Sequence, residues 1–245
     1  MATQQIFYET AAPLTRARHG NWSVEIGTGF EFARHATSVP LTAVEFPFAA
    51  PEYPIVFAGT DEAMMPAAIL GARQNENLFV GADGKWSARY VPAFVRRYPF
   101  VFAASEDRKT FTLCIDESYP GCNQEGRGEA LFDAEGKPTA FLDGRLKFLQ
   151  EYQTQFDRTL ALCKRLRELD LLEPMQAKIT FGAGTSASVT GFGIVSRERL
   201  KALAPDVLQQ LAKSDALELI YLHLQSVRNF SALGGKLAGG EAQPV

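Results

Sequence analysis

The densest run of chemically capable side chains is Tyr90-Val91-Pro92-Ala93-Phe94-Val95-Arg96-Arg97-Tyr98-Pro99-Phe100, where two adjacent arginines stand among aromatics and prolines. Pro92 and Pro99 bracket Ala93 to Tyr98, which reads as an extended segment suited to a strand edge or a bend. Successive side chains of an extended chain alternate, so Arg96 and Arg97 point to opposite faces. One of them must turn inward, where a guanidinium needs an acid or an anionic ligand. Asp116 and Glu117, at the end of a nearby apolar strand, are the natural partners. Two chemistries follow. In the first, arginine and carboxylate pair internally and pin the sheet. In the second, Arg96 or Arg97 holds a carboxylate or phosphate, with Asp116 or Glu117 as acid or base. Trp86, Tyr90 and Asn77 are placed to line the same face. Aromatics of this kind can stack on nucleic acid, but an acidic chain lacks the basic groove that requires, so no nucleic-acid partner is expected.

Other motifs carry less. Gly182-x-Gly184-x-x-Ala187 matches a dinucleotide fingerprint in spacing. Such a loop must open a helix, and the β-prone Ser188-Val189-Thr190-Gly191 that follows reads instead as the return strand of a glycine-rich hairpin. There is no G-x-S-x-G and no Walker A sequence. His19, His35 and His223 are scattered, without metal-ligand spacing, and His223 reads as a hydrogen-bonded core histidine. No metal and no cofactor are expected. Cys114, Cys122 and Cys163 form an odd set without CxxC spacing and read as free thiols.

The elements that must position these residues change period near the middle of the chain. Up to about Glu117 short Val-, Phe-, Tyr- and Ile-rich segments are punctuated by Pro and Gly, the pattern of strands. They include Tyr53–Ala58, Pro66–Gly71, Phe100–Ala103 and Thr110–Ile115, with Asn77–Val80 and Lys85–Tyr90 forming a hairpin around Asp83-Gly84. Residues 118–138 read as a loop-rich crossing and the best candidate for a mobile segment. From Ala140 to Leu172 apolar residues recur by threes and fours, predicting one long amphipathic helix packed on the sheet and ended by Pro174. A hairpin of Gln176–Phe181 with Ala187–Val195 follows, then helices from Ser196, from Asp206 and from Ala216 to Leu233, the last apolar nearly all round and so buried. The tail from Gly234 reads as frayed. The expected class is α+β: an antiparallel β-rich N-terminal half, residues 1–138, packed with a helical portion carrying a β-hairpin, residues 139–245, in one integrated domain.

The whole composition sets the outer bounds. The chain has 245 residues, 46% of them hydrophobic and 22% charged, with 25 basic against 28 acidic side chains. That is an ordinary globular composition with no global pull toward nucleic acid or an anionic membrane. No run of 18 apolar residues occurs, so no transmembrane segment is expected. Met1 to Ile6 has neither the basic nor the apolar region of a secretory signal. The expected location is cytoplasmic, with surface association only by a non-classical export route.

Several segments together resemble the SapC family of bacterial proteins of about this length. They are Tyr53-Pro54-Ile55-Val56-Phe57, Glu76-Asn77-Leu78-Phe79-Val80, Trp86 through Phe100, Cys114-Ile115-Asp116, Leu131-Phe132-Asp133, Gly191-Phe192 and Leu224-x-Ser226. The family name derives from association with a paracrystalline surface layer. The resemblance implies a non-catalytic binding or accessory protein of surface-layer or envelope biology, with surface-layer or envelope proteins as partners. It supplies no catalytic residue set. The alternative is an enzyme or small-molecule-binding protein acting on an anionic ligand through the residues above.

Overall fold

The computed structural model describes residues 6–27, 29–105, 109–181 and 185–237. In chain order its strands are β1 (Ala11–Pro13), β2 (Ser23–Val24), β3 (Ser38–Pro40), β4 (Ile55–Ala58), β5 (Met65–Ile69), β6 (Phe100–Ala104), β7 (Phe111–Asp116), β8 (Cys122–Asn123), β9 (Glu129–Ala130), β10 (Leu172–Phe181) and β11 (Thr185–Val195). The helices are α1 (Arg16–His19), α2 (Phe46–Ala49), α3 (Ala93–Arg96), α4 (Ala140–Glu168), α5 (Arg197–Lys201), α6 (Pro205–Lys213), α7 (Ala216–Ser226) and α8 (Asn229–Leu237). All strand pairings among the described residues are antiparallel, and the class is α+β. Neither of the two compact units is continuous in sequence. One joins Met1–Gly29 to Val95–Thr154, the other Phe30–Phe94 to Gln155–Val245, and α4 contributes residues to both.

The first unit holds two three-stranded sheets, ordered β1-β7-β6 and β8-β2-β9. Its core gathers Val24, Phe100, Ile115 and Leu131 against Leu142 and Leu149, the buried stripe of the first half of α4. Thr139 starts that helix: its hydroxyl accepts from the Leu142 N–H at 3.4 Å and donates to the Ala130 carbonyl at 2.6 Å. The segment 118–138 supplies β8 and β9, and Asn123 within it accepts from the Glu125 and Arg127 N–H groups and donates to three carbonyls.

The second unit holds a five-stranded sheet, ordered β10-β11-β4-β5-β3. Its core packs Cys163 and Leu166 of α4 against Phe57, Val195, Leu200, Leu211 and Ile220. The expected hairpin turn through Gly182 and Gly184 lies outside the described residues, but Phe181 pairs with Thr185 on its flanks.

Four expectations of local structure are corrected. Ala93 to Arg96 is helical, not extended, because the Ala93 N–H, an orphan donor of a first turn, is taken by the buried Glu45 carboxylate at 2.7 Å. The long helix ends at Glu168, not near Pro174: Asp170 adopts φ 51° and the Leu171 N–H closes on the Leu166 carbonyl. Pro174 sits in β10, an edge strand that tolerates a missing N–H. The predicted last helix is two, α7 and α8, and Tyr221 of α7 is exposed. The break coincides with Asn229, whose amide donates to the Ala50 and Tyr53 carbonyls. The hairpin at Asp83-Gly84 shrinks to one bridge, Val80 with Trp86, although Gly84 keeps its positive φ of 75°.

Because Leu149 and Leu166 lie in separate cores on one helix, Leu149→Ala and Leu166→Ala should each lower stability by about 2–5 kcal/mol. Urea unfolding monitored by circular dichroism checks this; unchanged midpoints would refute the packing of α4.

Candidate functional site

Of the residues singled out in the sequence, Arg96, Arg97, Asp116 and Glu117 belong to the first unit and Asn77, Trp86 and Tyr90 to the second.

In the first unit Asp116 ends β7 fully buried. Its carboxylate accepts from the Glu9 and Thr10 N–H groups at 3.0 Å, from the Ser118 hydroxyl at 2.7 Å, from the Ser118 N–H and from the Tyr98 hydroxyl at 3.3 Å. Burial opposes its charge, but these hydrogen bonds prevail and hold its pKa below the usual aspartate value. Next to it Glu117 binds the Arg18 guanidinium and, at 3.0 Å, Nε2 of His19, which is buried. Here too desolvation is outweighed by the two hydrogen bonds, and the pKa falls. The Thr15 N–H points to Nδ1 of His19 at 3.2 Å, and the Thr15 carbonyl lies 3.3 Å from the same nitrogen. Arg97 is 3% exposed and Arg96 is exposed, so one arginine of the pair is indeed inside. The inward turn comes from the helical turn of α3, not from strand alternation. The Arg97 guanidinium lies over the rings of Tyr8 and Tyr152, at 5.8 and 5.2 Å from their centroids. Burial pushes the Tyr8 phenol up to about 12 although Arg97 beside it works the other way. Arg96 lies over Phe148 at 5.4 Å.

In the second unit the organising group is one the sequence reading missed, Glu45. It is 3% exposed and closes a capping box at the start of the Ala43–Glu45 turn. One carboxylate oxygen accepts from the Thr42 N–H and hydroxyl at 2.7 and 2.9 Å, the other from the Tyr90 hydroxyl at 2.8 Å and the Ala93 N–H. Tyr90 passes the network on. Its carbonyl accepts from the Tyr53 hydroxyl, which accepts from the Trp86 indole N–H at 2.8 Å. The Arg89 and Tyr90 N–H groups donate to Glu52. Trp86 stacks near Phe79 and meets Phe30 edge-on. Asn77 is a turn residue: its amide donates to the Ala33 carbonyl and its oxygen accepts from the Phe79 N–H. On the outer side of Tyr90, Phe48 stacks at 5.6 Å and stays 61% exposed. Thr42-x-x-Glu45 was a legible capping signal; nothing local marked Phe48 as exposed.

Two further groups are tuned by burial. His223 donates from Nδ1 to the Ile55 carbonyl at 2.9 Å and accepts at Nε2 from the Val195 N–H at 3.0 Å, which splices α7 to β4 and β11. Desolvation lowers its pKa to about 4. The cysteines are free, and burial raises the thiols of Cys122 and Cys163 to about 11 and 12.

A family model for SapC matches residues 14–233 of the chain. The chain belongs to the SapC family. No curated protein and no solved structure matches it. Among the described residues, no helix of this SapC-family chain is long and apolar enough to cross a membrane, and no group of three or more His, Cys, Asp or Glu side chains is arranged to hold a metal ion.

Arg97→Ala should cost about 2 kcal/mol or more by removing a buried, ring-enclosed side chain, while Arg96→Ala should stay within about 0.5 kcal/mol; thermal melts compare them, and equal effects would refute the assignment. His223 makes a pH forecast. Its folded pKa lies below the ordinary 6.5, so its contribution is complete above pH 6.5 and is lost as pH falls toward 4. Wild type should therefore lose about 3 kcal/mol more than His223→Gln between those limits. Parallel urea midpoints for the two proteins across that window would contradict it.

Proposed function

We propose that this protein is a non-catalytic binding or accessory protein linked to bacterial surface-layer or envelope biology, and that it binds through the exposed face around Phe48. The observation that carries the reading is the Phe48–Tyr90 pair: a phenylalanine 61% exposed, stacked on a tyrosine whose hydroxyl and backbone are held by two carboxylates. Large exposed apolar side chains that are held rigid from below suit recognition. The groups best suited to acid–base chemistry lend support. Asp116 and Glu117 are engaged by internal donors, and His223 is held neutral between two backbone groups. The link to a surface layer rests on family membership.

The test is retention of the purified protein on purified surface-layer protein and on envelope vesicles of a bacterium that carries it. Wild type should be retained. Phe48→Ser should be released, with stability within about 0.5 kcal/mol of wild type because the side chain is exposed. Equal retention of the two proteins, or none, would overturn the reading. Thermal stabilisation by phosphate or a carboxylate that Arg96→Ala or Arg97→Ala abolishes would favour the anionic-ligand alternative instead.

A further inference from the structure

The exposed side of the turn that carries Phe48 is apolar over two helical turns. Val44, Pro47, Phe48 and Pro51 recur at three- and four-residue spacing and are all exposed, Val44 at 52%. The opposite side, Phe46, Ala49 and Ala50, is buried. One apolar stripe thus packs inward and a second faces solvent. Tyr90 widens the outer stripe and is fixed at three points: its hydroxyl on Glu45, its N–H on Glu52 and its carbonyl on Tyr53. The platform is organised before any partner arrives, which lowers the ordering cost of binding.

Resting on the binding reading above, we propose that this stripe docks a short, extended, proline-containing peptide segment of a partner protein that carries an acidic residue beside its prolines. Three observations select that occupant. The first is size. Two large exposed side chains and two prolines fall far short of the roughly 800 Å² per partner that a stable dimer buries, so the face does not hold a second copy of the chain. The second is chemistry. The exposed members of the stripe are apolar, and the Tyr90 hydroxyl is already engaged by Glu45. A sugar needs converging polar side chains to orient it. Proline rings need only ring and apolar surface, and the polyproline II conformation is preformed and loses little entropy on docking. The third is charge. Arg89, next to Tyr90, is exposed, and its guanidinium makes no hydrogen bond or ion pair among the described residues, although its N–H binds Glu52. An acidic side chain on the partner complements it and fixes its direction.

The experiment measures fluorescence polarisation of a labelled peptide of Pro-Pro-Leu-Pro repeats flanked by glutamates. Two controls replace its prolines with glycine or its glutamates with lysine. Wild type should bind the glutamate-flanked peptide saturably. Glycine replacement, or Phe48→Ser in the protein, should weaken binding by about tenfold or more. Arg89→Glu should weaken the glutamate-flanked peptide and strengthen the lysine-flanked one. Melting temperatures check that both variants stay folded, and Val44→Ser gives a second, independent lesion. Absence of saturable binding to wild type, equal binding of the glycine peptide, or insensitivity to Phe48→Ser and Val44→Ser would overturn the proposal. So would a dimer in sedimentation that Phe48→Ser dissociates, or saturation by chito-oligosaccharide instead of peptide. If retention on envelope material still depends on Phe48 while the peptides fail, the peptide assignment falls and the binding reading stands.

Discussion

A single buried carboxylate organises the second unit. Glu45 is almost without solvent, and a carboxyl group there is tolerable only if its oxygens are occupied by hydrogen-bond partners. Four donors do this, from three places in the chain: two from Thr42 close the turn, the Tyr90 hydroxyl brings in a distant loop, and the Ala93 N–H starts a helix. From Tyr90 the order passes to Tyr53 and Trp86. Removing any one donor would leave a buried oxygen short of a hydrogen bond, so the positions of these segments are interdependent. The aromatic surface above Glu45 inherits its rigidity from that requirement.

The same principle operates elsewhere with other groups. Asp116 collects N–H groups of the N-terminal segment, from Glu9 and Thr10, and that of Ser118 just beyond β7. Glu117 ties α1 to the end of β7 through Arg18 and His19. His223 uses both ring nitrogens on backbone groups of two strands. In each case the residue type that would suggest chemistry in a sequence acts as a joint between elements far apart in the chain. A small sheet such as β1-β7-β6 buries limited apolar surface, and the hydrogen-bonded carboxylates at the end of β7 tie the N-terminal segment to it.

Much of the architecture was legible from periodicity alone. The three–four spacing after Ala140 marked α4, since a 3.6-residue repeat places those side chains on one stripe, and Leu142, Leu149, Cys163 and Leu166 are among those it buries. Period-two segments and turn chemistry located β4, β6, β7 and the β10–β11 hairpin, and the apolar helix around His223 marked it as a core histidine. The SapC likeness rested on short motifs and covers nearly the whole chain.

What the local pattern could not contain was decided by partners distant in sequence. Pro92 and Pro99 favour an extended chain between them, yet a carboxylate 48 residues upstream caps Ala93 and makes a helix. Adjacent arginines announced that one must be buried, but only the packing of Tyr8 and Tyr152 settled that it is Arg97 and what encloses it. The two acids following Ile115 were visible as candidates, while their engagement by Glu9, Thr10, Arg18 and His19 depends on the N-terminal segment returning to that strand. Phe48 lies in a run of apolar residues that any reading of composition would bury. Its exposure follows from the short turn of Ala43 to Ala49, which can offer only one side to the core: Phe46 and Ala49 take that side, and geometry leaves Phe48 to solvent.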